Sequence, residues 1–346
     1  MPEQPTLAAH LASGAASGGL RAQTCAALEA LAGATIRLSD LIGQGALAGD
    51  LSRPTGQGGG GDTQKLLDAA ADNEVRDALM RAPVGPVVSE EGEGIIELRP
   101  GQPLAVAVDP LDGSSNIETN MTLGTIFSVR ANTPATGPLG PFAGPGTAQL
   151  AAGFVAYGPQ TALVLTTGAG VDVFVLDRAA RAYRLAQSGL KIAPDRPEYA
   201  INASNYRHWE PPVRAYIDDC LAGADGPRGK DFNMRWVASL VAEVYRILMR
   251  GGIFLYPADA RPGYGQGRLR LLYEAQPMAM IAEQAGGWAT DGFKRILDLE
   301  PSAPHQRTPL ILGSADKVAR VEALHRNPGL LSAQQPLFGR RGLFRL

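Results

Sequence analysis

The apolar run Leu104–Val108 contains no polar residue and leads straight into Asp109-Pro110-Leu111-Asp112-Gly113-Ser114-Ser115-Asn116. A continuous apolar run of this length reads as a buried strand, and a buried strand needs a sheet covered by other layers. Two carboxylates therefore leave the end of a buried strand, and Pro110 stiffens the turn between them. Gly113 and the two serines add backbone N–H groups and hydroxyls. Hard cations such as Mg²⁺ take carboxylate oxygens, and phosphate oxygens take N–H donors, so one short segment can supply both. A D-x-x-D pair is equally compatible with an Asp-rich turn capped by its own side chains.

The flanking sequence supplies the layers. Arg21 to Gln44 reads as one helix with a break at Gly33, and Asp62 as the N-cap of a helix over Thr63–Met80. Short β-like runs follow at Ile95–Leu98, Leu104–Val108, Thr125–Val129, Leu150–Tyr157, Leu163–Thr167 and Val171–Leu176. The second half mixes helices (Pro211–Leu221, Arg235–Arg250, Glu274–Ala285, Ala315–His325) with strands at Ile253–Tyr256 and Pro309–Leu312. Strands first, then strands mixed with helices, predict a layered α/β chain with a seam near residue 200. A total of 346 residues fits two domains or one large one. The final RRGLFRL reads as a solvated or docking tail.

Composition excludes several classes. Lys+Arg 32 against Asp+Glu 34 leaves a net charge of -2, without the basic excess of a nucleic-acid binder. Cys25 and Cys220 are too few for a disulfide framework, and His10, His208, His305 and His325 have no zinc spacing. The N-terminus lacks the basic region of a signal peptide, and no apolar run approaches the roughly 18 residues of a membrane span. A cytoplasmic protein without membrane or nucleic-acid partners is expected.

Further carboxylates stand at Glu90 and Glu91, after the apolar Val87-Val88, at Asp62 and Asp68 around a glycine-rich stretch (Gly56–Gly61), and at Glu274. Each taken alone fits a solvated charge or a helix cap. Brought together they interact, because two charges about 4 Å apart repel by roughly 4 kcal/mol at an effective dielectric of 20. Such a cluster requires cations. With two or three Mg²⁺ ions it becomes a site for in-line attack on a phosphate.

The ordered set of motifs resembles class 1 fructose-1,6-bisphosphatase, within the lithium-sensitive sugar and inositol phosphatase superfamily. These are G-D-x-Q-K-x-L-D at Gly61–Asp68, V-S-E-E at Val88–Glu91, D-P-L-D-G-S-S-N at Asp109–Asn116 and I-N-x-x-N-Y at Ile201–Tyr206. G-G-I-F-L-Y-P at Gly251–Pro257 and L-R-L-L-Y-E-A-x-P-M-A at Leu269–Ala279 complete the set. The resemblance implies an α-β-α-β-α layered sandwich of the sugar phosphatase fold. It divides the chain into an N-terminal α/β domain (1–200) that carries the metal-site motifs and is of the family's allosteric type, and a C-terminal sugar-bisphosphate-binding domain (201–346). It also implies a homotetramer hydrolysing the 1-phosphate of D-fructose 1,6-bisphosphate with Mg²⁺ or Mn²⁺, two to three ions per site, in gluconeogenesis or the Calvin cycle.

Residue by residue, the resemblance implies metal ligation by Glu90, Asp109, the Leu111 carbonyl, Asp112 and Glu274. Asp68 and Glu91 match the pair that activates the attacking water, and Asp62 matches a residue on a mobile catalytic loop. Asp112, Gly113, Ser114 and Ser115 match the cradle of the scissile phosphate. Asn202, Tyr206, Arg235, Trp236, Tyr256, Arg268 and Arg270 fall at substrate contacts, with Arg235 reaching a neighbouring subunit's site. Two positions depart from the family pattern: Trp236 stands where tyrosine is usual and Arg268 where lysine is usual, which bears on sugar preference. A bifunctional enzyme that also accepts sedoheptulose 1,7-bisphosphate is the nearest alternative, and a non-catalytic sugar-phosphate sensor the next. Pro103-Leu104 stand where animal relatives use Lys-Tyr to bind AMP, so AMP regulation is not expected.

Overall fold

The expected strand Leu104–Val108 extends through the acidic motif to Asp112, and all nine of its residues are buried. In the computed structural model, which describes residues 4–14, 20–134, 137–327 and 329, this strand lies inside an eight-stranded sheet. The order across the sheet is Ala182–Gln187, Asp172–Asp177, Thr161–Thr166, Gln149–Tyr157, Leu123–Ala131, Leu104–Asp112, Val84–Ser89, Ile95–Glu97. Only the pairing of Leu104–Asp112 with Val84–Ser89 is parallel. Strand alternation then divides the burial. Leu104, Val106 and Val108 join one apolar cluster, while Ala105 and Ala107 meet Phe142, Leu272 and Tyr273 on the other face.

Among the described residues the α-helices are α1 (Leu7–Gly14), α2 (Leu20–Gln44), α3 (Leu66–Leu79), α4 (Pro211–Leu221), α5 (Leu240–Arg250), α6 (Gln276–Gln284) and α7 (Ala315–Arg326). The first three cover one face of the large sheet through Leu11, Leu28, Leu31, Leu38, Val75 and Leu79. The helices α5 and α6 fill the space between that sheet and a second, five-stranded one, with Val244, Ile247, Met278 and Ile281 packed against Ile126, Phe154, Phe254 and Leu312. The second sheet runs Asn233–Met234, Glu198–Ala200, Ile253–Tyr256, Leu310–Ser314, Gly287–Thr290. Its outer face is closed by α4 and α7 through Val213, Tyr216, Val318 and Val321. The result is the expected five-layer α-β-α-β-α sandwich.

Four local expectations are corrected. The helix α2 continues through Gly33 without a break. The chain at Thr63–Lys65 pairs with Pro54–Gln57 as a two-stranded ribbon, so α3 starts at Leu66 and Asp62 is not its N-cap. The helix expected from Arg235 starts at Leu240, because Ala238 takes a positive φ of 60° that no helix tolerates, and Ser239 caps the first turn. Arg235 consequently lies on extended chain, its N–H bonded to the Tyr199 carbonyl, and not at a helix N-terminus. Residues Leu271–Ala275 form a wide π turn ahead of α6, where a regular helix from Glu274 was expected. The strand Ala182–Gln187 was not anticipated, and the tail RRGLFRL lies outside the described residues.

Candidate active site

Asp109 and Asp112 are three residues apart on a strand, a spacing that normally points side chains to opposite faces. The register resolves this. Asp109 faces Ile126 and Asp112 faces Gly124, so three steps on one strand match two on its partner. This is a β-bulge, with Pro110 inside it where no ladder N–H is required. The extra residue brings both carboxylates to one side, and there they meet Glu274. Oxygens of Asp109, Asp112 and Glu274 all lie within 4.8 Å of one another, and all three side chains are buried.

Each of the three is positioned by backbone. The Asp112 carboxylate accepts from Val241 N–H at 3.0 Å in the first turn of α5. Gly124 permits that approach, since a Cβ there would stand 2.4 Å from a Val241 methyl. Asp109 accepts from Leu111 N–H at 3.0 Å. Glu274 accepts from Arg270 N–H at 2.5 Å across the π turn, and the neighbouring Tyr273 hydroxyl sits 2.8 Å from His305 Nδ1. π turns inserted ahead of helices recur at functional sites.

The acid cluster has one cation inside it. The Arg270 guanidinium lies 3.0 Å from Glu90, 3.9 Å from Glu274, and in close contact with Asp62. A second arginine, Arg307, stands 3.6 Å from Asp62. Even so, Asp109, Asp112 and Glu274 are all shifted upward in pKa. Burial, then the Glu90 and Asp112 charges, push Asp109 well above the usual carboxylate range. Burial raises Asp112 to about 6 against the pull of the Val241 N–H, and burial with the Glu90 charge raises Glu274 to about 8.

Asp68 and Glu91 occupy the adjoining wall. Asp68, in the first turn of α3, accepts from Lys65 N–H at 2.6 Å through Oδ2. Its Oδ1 is buried without a hydrogen-bond partner. Glu91 accepts from Gln64 Nε2 at 2.6 Å. Burial raises Asp68 to about 6 and Glu91 to about 7. The glycine-rich stretch lies over them: Gly59 and Gly60 donate to the carbonyls of Glu91 and Glu90, both at 3.3 Å. A Cβ on Gly59 would fall 1.8 Å from the Gly92 carbonyl oxygen, so this docking requires glycine.

These groups surround a cavity of about 280 Å³. It brings together Asp62, Asp68, Glu90, Glu91, Asp109, Leu111, Asp112, Gly113, Ser114, Ser115, Tyr256, Arg268, Arg270 and Glu274. Asn202 lines a smaller cavity next to it, which shares Tyr256 and Arg268. Trp236 is stacked on Phe254 and edge-on to Tyr256, behind the cavity wall. Two expected contacts point elsewhere within this chain. The Tyr206 hydroxyl donates to Asp218 at 2.8 Å, and Arg235 is exposed and lines neither cavity. The reading of the sequence passed over Arg307, Arg261 and Tyr264. Gln64 lay inside a quoted motif without being given a role.

The donor set suits a hard divalent cation: buried carboxylate oxygens held by backbone, raised in pKa by burial first and by one another's charge second, and no sulfur or imidazole among them. Beside it, the orphaned Asp68 oxygen and Glu91 can accept protons, and the Gly113–Ser115 segment offers donors to a phosphate.

The model of the family described as "Fructose-1-6-bisphosphatase, N-terminal domain" matches residues 26–188, and that of the "C-terminal domain" matches 192–326. A class 1 fructose-1,6-bisphosphatase of Rhodopseudomonas palustris (strain HaA2) is 59% identical over 321 residues, covering 92% of this chain and 93% of its own. Another, from strain BisB5, is 57% identical over 348 residues, covering 100% of both. Among solved structures, the fructose-1,6-bisphosphatase of Leishmania major in holo form superposes with a TM-score of 0.87 at 33% identity, covering 94% of this chain and 100% of that one.

Proposed function

The chain belongs to the class 1 fructose-1,6-bisphosphatase family, and we propose that it hydrolyses the 1-phosphate of D-fructose 1,6-bisphosphate to fructose 6-phosphate and phosphate, with a divalent metal. The observation that carries this reading is the convergence of buried Asp109, Asp112 and Glu274 within 4.8 Å. Glu90 and the Leu111 carbonyl complete the set that would hold Mg²⁺ or Mn²⁺, two to three ions per site. Held there, such ions would supply neutralisation of the carboxylates and Lewis-acid polarisation of the phosphate.

The chain's own groups do the rest. Ser114, Ser115 and the backbone N–H groups after Asp112 hold the scissile phosphate. Asp68 Oδ1, buried without a partner, takes a proton from the attacking water, with Glu91 beside it. The Gly58–Gly60 segment excludes bulk water from above, and the pairing of Asp62 with Arg270 secures it. Arg268, Tyr256 and Asn202 receive the sugar and its 6-phosphate in the adjoining cavity. Residues 1–200 thus supply most of the acid cluster and 201–346 most of the sugar contacts, with Glu274 crossing from one to the other.

For assembly we infer a homotetramer in which Arg235 serves a neighbouring site. What supports this is its exposure, its lack of an ion pair among the described residues, and its absence from the lining of the two cavities described above. We place the enzyme in the cytoplasm, which suits its two unpaired cysteines. No helix of the described residues is long and apolar enough to cross a membrane. The test of the reaction is product identity: digestion of fructose 1,6-bisphosphate should yield fructose 6-phosphate, and fructose 1-phosphate as the product would refute it.

A further inference from the structure

Arg268 stands at the junction of the two cavities and lines both. Among the described residues no carboxylate pairs with it. Its guanidinium carbon instead lies 4.5 Å from the ring centroid of Tyr264. A second guanidinium, that of Arg261, lies 4.1 Å from the same centroid. The charge on Arg261 is answered by the buried Asp259, which accepts from Arg261 Nε at 3.0 Å and from its backbone N–H at 3.0 Å. Arg268 has no such answer among the described residues, and it lines both cavities, where an anion can meet it.

The loop that carries Tyr264 is built around that residue. Its N–H donates to Arg261 O at 3.0 Å, and its carbonyl accepts from Gly267 at 3.0 Å and from Asp259 at 3.3 Å. Its neighbours are Pro262, Gly263, Gly265, Gln266 and Gly267, so no other aromatic side chain of this loop faces Arg268. A flexible arginine held over an aromatic face loses rotamer freedom before a ligand arrives, and a guanidinium fork fixed in this way is prepared for a phosphate.

We propose that Tyr264 is a positioning residue: its ring fixes the Arg268 fork for the phosphate remote from the bond broken, and so makes the site select sugars carrying two phosphates. The proposal rests on the reaction assigned above.

Steady-state rates with fructose 1,6-bisphosphate and fructose 1-phosphate, for the wild type, Tyr264→Leu, Tyr264→Gln and Tyr264→Phe, test it. Both ringless variants should raise KM for the bisphosphate about tenfold, in keeping with loss of one cation–π contact, with kcat changed less than about twofold. Their kcat/KM on fructose 1-phosphate should match the wild type, because that sugar presents nothing to Arg268. Tyr264→Phe keeps the ring and should stay within about twofold of wild-type KM. Equal losses on both sugars, an unchanged KM, or a Phe variant as poor as the Leu variant would overturn the proposal while leaving the reaction standing. A wild-type enzyme that releases no phosphate from the bisphosphate would remove the reaction, and the proposal with it.

Discussion

The carboxylate of Asp112 accepts a hydrogen bond from the backbone N–H of Val241 at 3.0 Å, which places an acidic residue from the large sheet at the N-terminus of α5. That end of a helix favours negative charge, so α5 helps hold an anion inside a cluster that otherwise repels it. Asp112→Asn keeps an oxygen for Val241 and removes one charge. Turnover should fall by orders of magnitude at saturating Mg²⁺, while the thermal midpoint stays within a few degrees of wild type. Thermal melts beside rate measurements check this, and near-wild-type turnover would contradict the ligand role of Asp112.

The Gly58–Gly60 segment is docked on the turn that bears Glu90 and Glu91. Gly59→Ala would place a methyl against the Gly92 carbonyl, where only 1.8 Å is free. The loop would have to lift. Because the segment is only half-buried and carries no core side chain, turnover should drop at least tenfold with little change in the melting midpoint. A variant with normal turnover would show that docking is dispensable.

The raised carboxyls give a pH signature. Asp68 and Asp112 stand at about 6, Glu91 at about 7 and Glu274 at about 8, against roughly 4 in an unfolded chain. Without metal, the folded protein therefore keeps protons that the unfolded chain has released in this window. Its stability falls as pH rises from about 4 to about 8. A bound cation requires the ionised forms, so its stabilising effect grows over the same range. The rise in melting midpoint on adding Mg²⁺ should be larger at pH 8 than at pH 6, read by differential scanning calorimetry. An equal or smaller rise at pH 8 would count against the cluster as the binding site.

Much of this site was legible along the chain. The apolar run of the buried strand, the acidic motif that continues it and the helix Pro211–Leu221 stand where the sequence placed them, because each is written in neighbouring residues. What was not legible depends on pairing at a distance. Asp62 looked like a helix cap, but its partner Arg270 is 208 residues away. The bulge that turns Asp109 and Asp112 to one side exists only in the register with Ile126 and Gly124. The sequence places the start of α5 too early because Trp236 continues its apolar side, while the positive φ of Ala238 and the Ser239 cap end it.

Arg235 offers a test of assembly. Arg235→Ala should raise KM for fructose 1,6-bisphosphate with a smaller effect on kcat, since the 6-phosphate is remote from the bond broken. Mixing it with an inactive Glu91→Gln chain should restore some low-KM activity, because one mixed site then carries both defects and another carries neither. Mixed oligomers without that activity would place Arg235 in its own subunit's site, or in none.

The account stands most directly on metal-dependent loss of the 1-phosphate. Chelator-stripped protein should release no phosphate from fructose 1,6-bisphosphate above background, and titration with Mg²⁺ should restore release with fructose 6-phosphate as the sugar product. Undiminished release in the presence of chelator would contradict it.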